Sequence, residues 1–182
     1  MISQTPDAEQ LPDGRRPLVR CSGRATAGDR GAGAVQRFVG KFINKLDAKG
    51  RVSVPAQFRQ VLSTQQNAGF YCIRSIGHPA LNGFGEALFA EADERLKSFS
   101  PIFSRDYAAQ ATALFAQARY LELDDDGRVR LPDELVAHAG IQDRILFAGL
   151  DRMFEIWNPA TFEPVERARM EQMQRAYEAG TL

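Results

Sequence analysis

A ten-residue segment occurs twice in this chain of 182 residues, and the repeat limits the possible folds more than any other feature. The two copies are LDAKGRVSVP at 46–55 and LDDDGRVRLP at 123–132; they lie 77 positions apart and share six residues. A helical pattern and then an apolar strand pattern follow each copy, with the strands at 70–73 and 145–148. The chain is therefore predicted to contain two tandem strand–turn–strand–helix units.

Hydrophobic periodicity and turn residues predict the remaining elements and an α+β fold. The predicted strands cover 38–43, 51–54, 70–73, 145–148 and 153–157. The predicted helices begin at Pro55 and at 86, 104 and 159, the last three ending near 98, 118 and 179. A loop rich in turn-forming residues is predicted over 77–85, and Asn158 is expected to cap the last helix. Phe38 aligns with Phe115 at the repeat offset.

The chain is expected to divide into four parts. They are an N-terminal extension over 1–34, a first domain over 41–88, a second domain over 118–161 and a C-terminal helix over 162–182. The extension has no hydrophobic periodicity, so we expect it to be disordered. Val35 is a candidate translation start, because valine codons can begin bacterial genes; the intact mass of the native protein tests this hypothesis.

The repeated turn places one residue type at each position for a physical reason. The pairs are Asp47 and Asp124, Gly50 and Gly127, and Arg51 and Arg128. The aspartates can accept hydrogen bonds from backbone N–H groups ahead of them, and the glycines can adopt a positive φ. Each arginine can either pair with the aspartate of its own turn or reach a phosphate or a guanine edge. The pattern favours a structural role for the aspartates and leaves both roles open for the arginines.

The two copies differ in charge, although the formal net charge of the chain is zero. Residues 37–59 carry six basic residues against one acidic residue, whereas 115–135 carry three basic against six acidic. The first hairpin contains Lys41, Lys45, Lys49 and Arg51. Such a run can be merely a solvated surface, but its clustering on a β-ribbon favours double-stranded DNA as the partner. One ribbon makes few phosphate contacts, so this interpretation also requires a homo-oligomer.

Four segments together resemble a known family. They are FVG at 38–40, the whole first copy at 46–55, D-x-x-G-R at 124–128 and FEIW at 154–157. Each unit resembles the AbrB-like swapped-hairpin motif, and the tandem pair resembles the MraZ family of bacterial transcriptional regulators. The resemblance runs from about residue 35 to the C-terminus. It implies two tandem swapped-hairpin β-barrel units with flanking helices.

The resemblance also implies a function. A member of this family is expected to bind short direct repeats in the promoter of the division and cell-wall gene cluster, which includes its own gene, as a ring-like homo-oligomer. Arg51 is implied to contact DNA, with Arg128 as its counterpart in the second copy. Asp125 and Asp126 stand where the first copy has Ala48 and Lys49, so we expect the second copy to act in packing or assembly.

Other functions compete with this one. An AbrB-like antitoxin of a toxin–antitoxin pair is the alternative, although such antitoxins usually carry one copy and a toxin-wrapping tail. A calcium site in the acidic turn is not predicted, because the first copy has Lys45 and Lys49 at the matching places. His78 and His138 lack a nearby nucleophile or ligand-spaced partner. We therefore predict a non-enzyme without a cofactor, metal or small-molecule substrate.

The cysteines and the apolar segments complete these expectations. Cys72 lies in an apolar strand and is predicted to be a core residue. No apolar run approaches the ~18 residues that a membrane span needs. We expect a protein of the cytoplasm and nucleoid without a membrane partner.

Overall fold

The computed structural model describes residues 37–65, 68–100, 102 and 104–181. The predictions for 1–34, a disordered extension and a start at Val35, lie outside the described residues. The strands are β1 (Lys41–Lys45), β2 (Arg51–Ser53), β3 (Gly69–Arg74), β4 (Ala80–Phe84), β5 (Arg119–Glu122), β6 (Arg128–Arg130), β7 (Arg144–Leu150) and β8 (Met153–Trp157). The helices are α1 (Ala56–Ser63), α2 (Glu86–Leu96), α3 (Arg105–Ala111), α4 (Asp133–His138) and α5 (Pro159–Glu178).

The two sequence units exchange their first strands. β1 pairs with β7 of the second unit, and β5 pairs with β3 of the first unit. β4 pairs with β8, which completes a six-stranded antiparallel sheet in the order β1-β7-β8-β4-β3-β5. β2 and β6, one from each unit, form a separate two-stranded ribbon. The predicted α+β class with swapped hairpins is confirmed.

An aromatic core lies between the ribbon and the six-stranded sheet. The rings of Phe58 in α1 and Phe154 in β8 have centroids 5.1 Å apart, and Phe38 meets Phe58 edge-on at 5.2 Å. Val52 of β2 and Val129 of β6 are each 1% exposed and belong to the same cluster. Because both units contribute side chains to this cluster, they share one core.

The segment over 104–118 differs from the predicted single helix. α3 ends at Ala111, and a π-helical turn, Thr112–Ala116, continues it until β5 begins. Phe115 lies in this turn, partly exposed, with its ring centroid 5.3 Å from that of Phe89. Phe38 is instead fixed in the core by an antiparallel bridge to Asp151. The two phenylalanines that align at the repeat offset therefore occupy different environments, because the alanine-rich helical segment extends through the second position.

The loop predicted over 77–85 is wrong in its second half, which forms β4. Ser75 and Ala80 close the turn before this strand, with the Ser75 N–H donating to the Ala80 carbonyl at 2.9 Å. A Cβ atom on Gly83 would overlap the Phe154 ring. Gly83 thus allows the paired strand to pack closely and does not mark a turn.

Helix α5 covers the face of the sheet opposite the ribbon. The side chain of Asn158 caps its first turn by accepting a backbone N–H at 3.0 Å, as predicted. Trp157 and Phe162 pack between helix and sheet, with ring centroids 5.5 Å apart. Glu155, only 5% exposed, accepts two hydrogen bonds from Arg169 at 2.7 and 2.9 Å. No helix of the described ranges is long and apolar enough to cross a membrane.

Candidate nucleic-acid interface

The first repeated turn is organised by the Asp47 carboxylate. Its Oδ1 accepts the backbone N–H groups of Lys49 at 2.8 Å and Arg51 at 2.9 Å, and its Oδ2 accepts Arg51 Nε at 2.9 Å. Gly50 adopts a φ of 73° and donates its N–H to the Asp47 carbonyl at 3.0 Å. The backbone N–H and the guanidinium of Arg51 hold the pKa of Asp47 below its usual value, although desolvation opposes them. The bond through Nε does not engage the two terminal nitrogens of Arg51, which suit a second acceptor.

The second repeated turn has the same backbone arrangement and a different arginine contact. Asp124 Oδ1 accepts the N–H groups of Asp126 at 3.1 Å and Arg128 at 2.8 Å. The Arg128 guanidinium forms its ion pair with Asp126, at 3.5 Å. A side-chain pair with Asp124 was one of the two possibilities left open for Arg128; its guanidinium instead pairs with the acid that stands where the first copy has Lys49. Arg128 of the second turn is therefore held by an aspartate that has no counterpart in the first turn.

The ribbon presents arginines from both units on its outer face. Its residue pairs are Arg51 with Arg130, Val52 with Val129, and Ser53 with Arg128. The two valines face the core, so the alternation of side chains along a strand directs the other four residues outward. The sequence predicts a two-stranded ribbon within the first hairpin; the ribbon is formed between the two units instead. Arg130, which the repeat assigns to the acidic second copy, therefore lies opposite Arg51.

Reciprocal backbone hydrogen bonds fix each end of the ribbon to a turn. The Leu131 N–H donates to the Gly50 carbonyl, and the Val54 N–H donates to the Gly127 carbonyl, both at 3.0 Å. The end of β6 is thus held beside the first turn, and the end of β2 beside the second. Sequence reasoning could not locate these contacts, because they depend on the register between two distant strands.

The lysines of β1 lie apart from the ribbon face. Lys41 forms an ion pair with Glu166 of α5, on the side of the sheet that this helix covers. Lys45 is exposed at the other end of β1, opposite Arg144 of β7. The rise along a strand puts the two lysines about 13 Å apart. Of the predicted cations, Lys45 lies near the first turn, whereas Lys41 is directed toward α5.

Arg59 of α1 lies over the second turn. A Cβ atom on Gly127, which has a φ of 71°, would overlap the guanidinium of Arg59. At the matching place in the first turn, the Leu131 carbonyl oxygen is 3.6 Å from the position of a Gly50 Cβ. The repeat places Val136 at the position that corresponds to Arg59. A cation of the first unit therefore contacts the acidic turn of the second.

The other predicted chemical groups lie away from this surface. Cys72 is fully buried in β3, and burial raises the pKa of its thiol to about 12; its prediction as a core residue is confirmed. His78 lies near Trp157, with ring centroids 5.5 Å apart. Among the described residues, no three His, Cys, Asp or Glu side chains are grouped so that they could hold a metal ion.

Comparison with known proteins gives relatives that cover most of the chain. Residues 114–180 match the family model described as "MraZ protein, putative antitoxin-like". The protein named Transcriptional regulator MraZ from Xanthobacter autotrophicus is 43% identical over 125 residues, which cover 69% of this chain and 79% of that protein. The protein of the same name from Azorhizobium caulinodans is 35% identical over 150 residues, covering 81% and 95%. That from Rickettsia bellii is 39% identical over 127 residues, covering 69% and 84%.

These relatives confirm the resemblance inferred from the repeated turn. The aligned segments cover at least 79% of the length of each of the three relatives. The family is one of transcriptional regulators, not of enzymes. The chain belongs to the MraZ family of transcriptional regulators.

Proposed function

We propose that this chain regulates transcription by binding double-stranded DNA through the β2–β6 ribbon and the first turn. The observation that carries this proposal is the guanidinium of Arg51, which Asp47 holds through Nε on the outward face of the ribbon. Two antiparallel strands fit the width of a major groove. Val52 and Val129 anchor the ribbon in the core, so the outward side chains stand on a rigid support.

The proposed roles of the other cations follow from their positions. Lys45 and Lys49 are exposed near the first turn and are suited to contact phosphates. Lys41 is paired with Glu166, so its share in DNA binding is smaller. Arg128 lies beside Asp125 and Asp126, whose negative charge repels a phosphate, and this supports a role in packing or assembly more than in recognition.

The protein is further proposed to act in the nucleoid as a ring-like homo-oligomer. Its targets are short direct repeats in the promoter of the division and cell-wall gene cluster, its own gene included. The support is the family resemblance, together with the small number of phosphates that one ribbon can neutralise. Several ribbons in one assembly raise the affinity through effective concentration. A ring built by a head-to-tail interface presents its ribbons in the same direction, which fits direct repeats.

A gel shift on DNA upstream of the protein's own gene tests the proposal. We expect Arg51→Ala to abolish the shift of the promoter duplex and to leave the oligomer unchanged by light scattering, since it removes one DNA contact from every subunit. Arg105→Ala is the matched control, because Arg105 is an exposed arginine of α3, a helix that packs beside α2. Specific binding that survives in Arg51→Ala, or an oligomer that dissociates, contradicts the proposed role.

A salt titration separates phosphate contacts from base contacts. We expect Lys45→Ala to weaken the binding of all duplexes alike, because a phosphate carries no sequence information. The slope of log K against log salt should fall by about 0.9 for each phosphate that Lys45 neutralises in the native protein. An effect confined to the promoter sequence contradicts a phosphate role for Lys45.

The antitoxin alternative has less support in the structure. A toxin-wrapping tail requires a C-terminal segment that is free of its own domain. The first half of α5 instead packs on the sheet, with Phe162 buried and Arg169 bound to Glu155.

A further inference from the structure

We propose that Arg130 is a second DNA-contact residue and that it binds the same backbone phosphate as Arg51. This inference rests on the proposed DNA-binding function and assigns a residue of the second unit to the interface of the first. The local charge of the sequence argues against a DNA contact by Arg130, since this residue lies in the acidic segment 115–135. The register of the ribbon places it at the opposite end from the acidic turn.

Three observations fix the position of Arg130. Val129 and Leu131, its neighbours in sequence, are each 1% exposed, so Arg130 between them faces outward. It is paired across the ribbon with Arg51, and directly opposed residues of antiparallel strands have Cα atoms about 5 Å apart. The Leu131 N–H bond to Gly50 holds this end of β6 beside the first turn. The side chain of Arg130 thus starts beside that of Arg51, on the same face.

Charge divides the ribbon into two unlike ends. The basic end contains Lys49, Arg51 and Arg130. The other end contains Arg128 opposite the uncharged Ser53, next to Asp125 and Asp126. Ser53 is the counterpart of Arg130 in the repeat, so the two units are not interchangeable here. The additional guanidinium, that of Arg130, therefore lies at the end of the ribbon where the adjacent turn carries Lys49.

Arg130 differs from the other two ribbon arginines in its side-chain contacts. Arg51 is paired with Asp47, and Arg128 with Asp126. Among the described residues, the guanidinium of Arg130 has neither a hydrogen-bond nor an ion-pair partner. Like charges directly opposite each other across two strands are unfavourable, and an anion between them removes this cost. A phosphate that accepts from both guanidiniums satisfies the terminal nitrogens of Arg51 and the unpaired group of Arg130.

Binding of a promoter duplex by single and double variants tests this pairing. The variants are Arg130→Ala, Arg130→Lys, Arg51→Ala, the double alanine variant and the control Arg105→Ala, each as the full-length oligomer. We expect Arg130→Ala to raise the Kd by about tenfold, the fold-change that corresponds to ~1.4 kcal/mol. Because Arg51 still neutralises the shared phosphate, the salt slope should change little in Arg130→Ala and fall by about 0.9 per bound subunit only in the double variant. Arg130→Lys keeps the charge and is expected to retain most of the affinity.

The double variant tests whether one phosphate is shared. The cycle is measured at low salt, where the remaining cations keep the Kd of Arg51→Ala measurable. If the phosphate is shared, the effects of Arg51→Ala and Arg130→Ala are less than additive; strict additivity would falsify the shared site. Binding by Arg130→Ala equal to that of Arg105→Ala overturns the role of Arg130 altogether. Failure of the unmodified protein to bind any promoter duplex is a different outcome, because it rejects the proposed function itself. Thermal unfolding and light scattering confirm that each variant is folded and assembled before its Kd is compared.

Discussion

Replacement of Glu155 by alanine is expected to loosen α5 from the sheet. Glu155 is 5% exposed and accepts three hydrogen bonds, two from Arg169 and one from Trp157 Nε1 at 2.9 Å. Trp157 itself is fully buried. The variant therefore leaves a buried indole N–H without its acceptor and frees the guanidinium that holds the middle of α5.

The size of the effect follows from the burial of each partner. An unsatisfied buried donor costs ~1–3 kcal/mol, and this is the expected contribution of the Trp157 N–H to the loss of stability. The side chain of Arg169 is 38% exposed and regains water, so its release contributes only about 1 kcal/mol. The free energy of unfolding should fall by roughly 2–4 kcal/mol, which lowers Tm by about 5–15 °C in a chain of this size. Glu155→Gln keeps an acceptor for Trp157 and should lose about half as much.

The pH dependence of this difference checks its electrostatic origin. Burial alone would raise the pKa of Glu155, but the hydrogen bonds from Arg169 and Trp157 lower it by more, so it lies below its usual value of 4.5. A carboxyl whose pKa is lower in the folded state stabilises the fold above the unfolded-state pKa, and this contribution is lost as pH falls through the folded-state pKa. The Tm difference between the native protein and Glu155→Ala should therefore be full at pH 7 and shrink below about pH 4.5.

Calorimetry of the native protein, both Glu155 variants and the surface variant Arg105→Ala makes the comparison. A Tm for Glu155→Ala within 2 °C of the native value, on the scale of ~2–4 °C per kcal/mol, refutes the reasoning. A difference that grows toward acid also refutes it, because it would mean that the native carboxylate is destabilising.

Three further outcomes are expected. Gly83→Ala places a methyl group against the Phe154 ring and should cost ~1–3 kcal/mol in chemical denaturation; an unchanged midpoint contradicts the close packing. The double variant Asp125→Asn, Asp126→Asn removes two negative charges near the ribbon and should tighten binding to an unrelated duplex by roughly threefold to tenfold at low salt; an anisotropy titration that shows weaker or equal binding is the contrary result. Cys72 is buried with a pKa of about 12, so pulsed alkylation and peptide mapping at pH 8 should show labelling on the order of a thousandfold slower than in denaturant.

The repeat predicted most of the local structure correctly because local chemistry determines it. Each turn is closed by an aspartate and a glycine a few residues apart, and each following helix starts after a proline. Asn158 at the start of α5 and the apolar segment of β8 were likewise recognisable from residue type and spacing. In the turns and at the start of α5 the decisive contacts lie within about five residues of each other in sequence.

The missed features depend on contacts between distant residues. Residue type alone assigns Gly83 to a turn. Its close packing against the Phe154 ring of the neighbouring strand is visible only in the structure. The sequence predicts one helix over 104–118, whereas its end is π-helical in the structure, where the Phe115 ring packs on that of Phe89 from another helix. The ion pair of Lys41 with Glu166 was not predictable from the sequence either, because the two residues lie more than a hundred positions apart. Periodicity and spacing carry no information on such partners.

Strand exchange also explains why charge cannot be assigned to one copy of the repeat. β2 and β6 run antiparallel, so the last residue of each strand lies beside the first residue of the other, next to the other unit's turn. Arg130 is by sequence part of the acidic copy and by register part of the basic end. The residue two positions after the repeated arginine therefore lies beside the other copy's turn, and Ser53 and Arg130 make the two ends unequal. The surface proposed to contact DNA depends on the register between the two copies. When charge is counted for each copy separately, Arg130 is assigned to the wrong end of the ribbon.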